Sequence, residues 1–361
     1  MKRRLLLLMP LLLSFGAGPA NAVTYCVDDA NELQATLEVA LSNGDVDDII
    51  RIEAGVYRST SPDGFSVFNF TDDDADLEIS GGWTEDCGLR LPNLRSTIDG
   101  ELERPGLVLG GTLDVRGRIW IRNMQFLRGL SLDPDVAGGL TINRGFDVLI
   151  ESSLFRDNAT NGDEGVASGA LYALTEGSLI VRGNLFVDND ADTPIQVAAG
   201  AASLHCYAIS GYAAFTSNTV VGNTGGQGAT GDIGGVRVYG FPNCSWSLAD
   251  NILWDNAGLD LAISVAGTSL RNNDIEDLGG VEPPVTNSGN LSVDPRFVSN
   301  TNLRLRRSSP LVDAGVNAPA GGLPSASFDG GPRIVGPRVD MGAYELDELF
   351  ADGFDPSGFG F

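Results

Sequence analysis

Val181-Arg-Gly-Asn-Leu-Phe-Val-Asp-Asn189, Phe215-Thr-Ser-Asn-Thr-Val-Val-Gly-Asn223 and Leu248-Ala-Asp-Asn-Ile-Leu-Trp-Asp-Asn256 are copies of one pattern. Each places an apolar residue, two or three small polar residues, a second apolar residue five positions on, and Asn at two fixed places. Ile121 to Phe126, Ile150 to Phe155 and Leu270 to Ile275 align with them without gaps, and the six starts lie 29, 31, 34, 33 and 22 residues apart. A strand, a sharp corner and a second strand account for the pattern. Such a unit cannot bury its apolar face alone, so copies must stack as a solenoid.

Working outward, each copy follows another short strand that opens on small residues: Gly138 to Ile142, Gly169 to Tyr172, Gly200 to Ser203 and Gly234 to Val238. About three strands per repeat predict a right-handed parallel β-helix of all-β class, with strands about 4.8 Å apart. Asn suits the corners because it tolerates left-handed backbone angles and its amide satisfies neighbouring backbone groups. Stacking would line Asn184, Asn218, Asn251 and Asn273 into a ladder, each amide bonded to the next. An unpaired buried amide would cost about 1–3 kcal/mol, so the recurrence makes sense only if they pair. The variable spacing is absorbed by loops such as 158–165 and 222–233.

Ahead of the repeats, Asp29 with Glu32 forms a capping-box pattern, and Leu33, Leu37, Ala40 and Leu41 follow at helical spacing. The region 23–45 therefore reads as a cap helix across the open end, covering a strand edge that would otherwise invite aggregation. Lys2, Arg3 and Arg4, the apolar run Leu5 to Leu13, and Ala20-Asn21-Ala22 have the form of a secretory signal over 1–22. No other stretch supplies the roughly 20 apolar residues of a membrane-spanning helix. One domain over 23–345 is expected, followed by a tail, 346–361.

Losing that signal takes the formal charge from -25 to -28, and every basic residue left is Arg. Such a surface repels nucleic acid and anionic lipid. It also disfavours polyanionic glycans unless a cation intervenes. Cys26, Cys87, Cys206 and Cys244 suit an oxidising compartment and permit three pairings. Cys26 with Cys87 and Cys206 with Cys244 would each join neighbouring segments of the solenoid.

The stretch from the cap helix through Gly55-Val-Tyr57, Ser80-Gly-Gly-Trp83, Cys87 and Ser96-Thr-Ile-Asp-Gly100 resembles the N-terminal part of pectin-lyase-like β-helix proteins of bacterial surfaces. Asp294-Pro-Arg-Phe297, Ser309-Pro-Leu-Val-Asp-Ala-Gly315, Asp329-Gly-Gly-Pro-Arg333 and Val339-Asp-Met-Gly-Ala-Tyr-Glu345 resemble the closing signature of choice-of-anchor Q domain proteins. The resemblance implies a β-helix displayed outside the cell, with 294–345 as its closing segment, and it transfers no catalytic motif. Leu349 to Phe354 and onward resemble short tails of exported Gram-negative proteins.

Chemistry has few candidates. The single histidine, His205, lacks a nucleophile motif and reads as structural. Asp157, Asp188 and Asp255 fall at one repeat position, with Asp190 close by. Carboxylates about 5 Å apart on adjacent coils repel by about 3 kcal/mol at an effective dielectric of 20. Asp157, Asp188 and Asp190 could relieve this by holding calcium, or could diverge into solvent. Lyases of this fold, by resemblance, use calcium with a basic side chain. Arg237, Arg182 or Arg271 would have to serve here, although guanidinium is a poor base. Hydrolases of the fold pair carboxylates, for which Asp250 and Asp255 are the candidates, with Asp260 five residues on. Arg122, Glu151 and Arg182 occupy one outward position on successive coils, which reads as a charge ladder.

The expectation is an exported monomeric β-helix without catalysis that engages glycans or other surfaces, as an adhesin does. An extracellular polysaccharide lyase or glycoside hydrolase is the alternative, and a purely structural passenger the third. Three or more acidic residues converging with Arg and exposed aromatics in one groove would favour the enzyme.

Overall fold

The computed structural model describes residues 22–44, 46–70, 75–111, 117–145, 147–161, 168–191, 198–208, 211–225 and 232–347. The signal-like segment up to residue 21 and the tail from 348 lie outside the described residues.

The chain winds into a right-handed parallel β-helix with three long sheets. The first has ten strands, from Val23–Val27 to Thr286–Ser288. The second has eight, from Phe65–Phe70 to Leu278–Gly280, and the third eight, from Val56–Tyr57 to Asp274–Ile275. One rung shows the order: Leu179–Arg182 in the first sheet, Leu185–Val187 in the third, Ala202–Cys206 in the second. Register is strict. Ile121, Ile150, Val181, Phe215, Leu248 and Leu270 are successive partners in the first sheet, all buried. In the third sheet Phe126, Phe155 and Phe186 stack face to face at 5.0 and 4.8 Å.

Both corners follow a rule finer than the sequence suggested. The left-handed residue is the one before each inward polar residue, Ser153 in one rung and Asn in the others: Ser152, Gly183, Ser217, Asp250 and Asn272 at the first corner, Asp157, Asp188, Gly222 and Asp255 at the second, with φ between 51° and 72°. Short polar residues and Gly tolerate this conformation best. The Asn that follows points inward. Asn184 donates its amide to Asn218 Oδ1 at 3.0 Å, Asn218 to Asn251 at 3.1 Å, Asn251 to Asn273 at 2.8 Å and Asn273 to Asn290 at 2.9 Å. The second hydrogen of each amide goes to a main-chain carbonyl, as from Asn184 to Ile150. A parallel ladder runs from Asn158 through Asn189 and Asn223 to Asn256 at 2.8–2.9 Å. Each buried amide is thus satisfied.

The cap helix spans Ala30–Ala40, with Asp29 accepting from the Asn31 and Glu32 amides and Leu33, Leu37 and Ala40 buried against the first rungs. Glu32 reaches back one residue further than a capping box requires, to the Asp28 amide. Both expected disulfides form, Cys26 to Cys87 and Cys206 to Cys244. The charge ladder is built as two ion pairs, Glu78 with Arg122 and Glu151 with Arg182.

The closing segment does not seal the far end of the solenoid. It folds back along the side as a strap. The Val316 amide bonds to Asp250, Ala320 accepts from Thr216, Gly321 accepts from Arg182, and Ser325 bonds to Glu151. The reason is apolar: the third sheet turns Leu154, Leu185 and Val187 outward, and Leu303, Phe328 and Ala343 cover them. Arg333 and Glu345 pair within the strap at 2.8 Å, nearly devoid of exposure. Arg333 also donates to the Asp340, Gly342 and Tyr344 carbonyls. The contacts with the coils come from 316–325, while Arg333 and Glu345 tie the later part of the strap to itself.

Candidate functional site

At the second corner the column Asp157, Asp188, Gly222 and Asp255 faces outward, because left-handed backbone there directs the side chain away from the core. Just before it, the third-sheet strands present Val187, Val221 and Trp254 as register partners. The antiparallel pair Phe297–Ser299 and Asn302–Leu305 lies against this face and brings Phe297 and Leu303. Between the two runs a cleft of about 470 Å³.

One wall carries Asp188 and Asp255 on either side of Gly222, and the other carries Asp294, Arg296 and Arg306. Gly222 keeps the wall open, since a Cβ there would come within 2.5 Å of Asp188 Oδ1. The guanidiniums are braced on main chain, Arg296 on the Ser308 carbonyl at 2.6 Å and Arg306 on Val298 at 2.7 Å. Burial, and secondarily the charge of Asp157, push the Asp188 carboxyl above its ordinary range. A Glu276 carboxylate accepts the Asp255 amide at 3.0 Å and fixes that corner. Trp254 and Phe297 supply aromatic surface, so the cleft combines acids, guanidiniums and rings.

The other sequence candidates are dispersed. Asp190 accepts the Thr224 hydroxyl at 2.6 Å, and among the described residues no close group of three potential ligands includes Asp157, Asp188 or Asp190. Among the described residues the one close group of three potential metal ligands is Cys26, Glu53 and Cys87, whose sulfurs form a disulfide. Asp250 does not face Asp255. It is buried under the strap, where its side chain accepts the Val316 amide and burial pushes its carboxyl up to about 7. Asp260 ends the second Asn ladder inside the rung. Arg237 lies on the outer face of the second sheet beside His205, remote in the rung from the acidic corner. Arg182 is engaged by Glu151 and Gly321, and Arg271 is on the first sheet. No basic side chain of that set joins Asp188, so the lyase arrangement is not assembled. His205 does have a hydroxyl beside it, Ser203 at 3.0 Å, but both are buried, and burial lowers the imidazole to about 3.

Sequence reasoning missed Trp254, Asp294, Arg296, Phe297 and Arg306 as site residues. Trp254 had a signal: a large ring where the neighbouring repeats carry Val187 and Val221. The rest come from a segment 40 to 52 residues beyond Trp254, which no repeat pattern brings to this corner. Compared with known proteins, the chain matches no family model, no curated protein and no solved structure.

Proposed function

We propose that this chain is an exported β-helix that engages glycans through the second-corner cleft without cleaving them. The observation that carries this reading is the meeting of Trp254 and Phe297 with Asp188, Asp255, Asp294, Arg296 and Arg306 in one cleft. Rings offer a stacking surface to the apolar face of a sugar, while fixed carboxylates and guanidiniums orient hydroxyls. Two disulfides support an oxidising destination.

Hydrolysis is the second reading, and it would need the Asp188 and Asp255 side chains to lean toward one another. Asp188 and Asp255 stand two coils apart with only Gly222 between, which at about 4.8 Å per coil separates their backbones by roughly 10 Å. Inverting glycosidases hold their carboxyls about 6.5–9.5 Å apart. Asp188, whose carboxyl burial raises, would be the acid and Asp255 the base.

A panel of acidic and neutral polysaccharides, offered to the purified protein with and without calcium, tests both. Binding lost in Trp254→Ala with no new reducing ends supports engagement. Reducing ends that vanish in Asp188→Asn establish hydrolysis instead. Calcium-dependent binding would return Asp157 and Asp188 to the role of metal ligands, and silence across the panel would sink the glycan reading.

A further inference from the structure

The second sheet turns a different surface outward. Register places Ser203 between Tyr172 and Arg237, and His205 beside Tyr239 in the next outward column. Tyr207 and Phe241 follow just past the strand ends. The rings touch in sequence: Tyr172 to His205 at 5.2 Å between centroids, His205 to Tyr239 at 5.3 Å, Tyr239 to Tyr207 at 6.2 Å and Tyr207 to Phe241 at 4.9 Å. The Arg237 guanidinium sits over the Tyr239 ring at 4.9 Å.

This stack runs from core to solvent. Tyr172 and His205 are 3% and 2% exposed, Tyr207 and Tyr239 are half-buried, and Phe241 is 48% exposed. His205 Nδ1 is buried without a hydrogen-bond partner, so the inner end of the stack holds an unmet polar group. Burial keeps the Tyr207 phenol protonated, which leaves its hydroxyl a donor as well as an acceptor. The ledge is aromatic and hydroxyl-edged, with a guanidinium set over one of its rings.

We propose that this ledge is a second carbohydrate site, taking the apolar face of a neutral pyranose, and that it holds one polysaccharide together with the cleft. The proposal rests on the glycan reading of the cleft. Charge decides the occupant, because a chain of formal charge -25 repels polyanions over its surface. Position supports the pairing. Asp188 and His205 belong to one rung, and Gly222 and Tyr239 to the next, so both sites sit at the same height on one rigid body. Two weak sites so fixed gain avidity of about 10²–10⁴ without any new contact.

Calorimetry on the full-length exported chain tests this with neutral hexasaccharides of glucan, mannan and chitin type and with their parent polymers. A hexasaccharide that binds is expected at two sites per chain. Tyr207→Ala and Phe241→Ala each remove one site, leave the other at unchanged Kd, and weaken the polymer at least 10²-fold. Trp254→Ala removes the complementary site. Wild-type stoichiometry and polymer affinity in Tyr207→Ala and Phe241→Ala overturn the ledge while leaving the cleft intact. Loss in the ledge variants with Trp254→Ala unaffected overturns two-point capture and the cleft reading together. No binding by the wild type overturns both proposals.

Discussion

Asn256 donates its side-chain amide to Asp260 Oδ1 at 2.5 Å, so the second ladder of amides ends on a carboxylate. Asp260 also accepts the Asn256 and Asp277 main-chain amides, and an ionised carboxylate serves three donors where an amide cannot. Asp260→Asn would turn an NH₂ toward the Asp277 amide. The expected cost is about 1–3 kcal/mol, read as a lower urea midpoint with unchanged slope. A neutral result would mean that the ladder needs no anionic end.

Within the first ladder, Asn218 accepts the Asn184 main-chain and side-chain amides and donates to Val181 and Asn251. Asn218→Ala strands two buried donors on Asn184 alone. A loss of about 3 kcal/mol or more is expected by chemical denaturation. Less than about 1 kcal/mol would show that water replaces the amide.

Acid should stabilise the fold. Burial raises Asp250, Asp274 and Glu345 to about 7 and Asp260 to about 6. Between the ordinary carboxylate range and pH 7 the folded state therefore binds more protons than the unfolded state. Their contribution is complete at and below about pH 4 and is lost as pH rises through 6 to 7. Asp99 acts oppositely: Arg128 and Arg58 outweigh its burial and lower its pKa, so its contribution is lost only in stronger acid. Tm is expected to fall by on the order of 5 °C between pH 5 and pH 8. A Tm that rises over this interval would contradict the assignment.

The Arg333–Glu345 pair holds the end of the strap to itself. Arg333→Met leaves Glu345 buried without its partner, at a cost of about 3–5 kcal/mol. The double replacement Arg333→Met with Glu345→Leu should recover much of that loss. Protease digestion reports it: the single variant is nicked near residue 294, while the double variant resists. Equal nicking of both would mean that the pair itself, rather than charge balance, closes the strap.

The solenoid was legible because its signal is local and repeated. Apolar residues five apart, around a fixed Asn, identify strand, corner and strand without reference to distant chain. The left-handed position was not separable from its neighbour, since Asp188 and Asn189 are both residue types that tolerate positive φ. Asn290 was missed because its rung is short, only 17 residues beyond Asn273. The candidate site was half legible. Asp188 and Asp255 follow from the repeat, but Arg296, Phe297 and Arg306 reach the cleft through the strap, whose path depends on tertiary packing. Asp250 misled because its repeat position and its burial are set by different parts of the chain.

Solenoids ordinarily tolerate gain or loss of repeats, since each coil touches only its neighbours. Here Val316, Ala320, Gly321 and Ser325 grip the coils of Asp250, Thr216, Arg182 and Glu151 in one pass. The strap is a ruler. A coil inserted between Arg182 and Thr216 would put every later mark out of step by one coil, so this β-helix can vary the loops that leave its rungs but not the number of rungs under the strap.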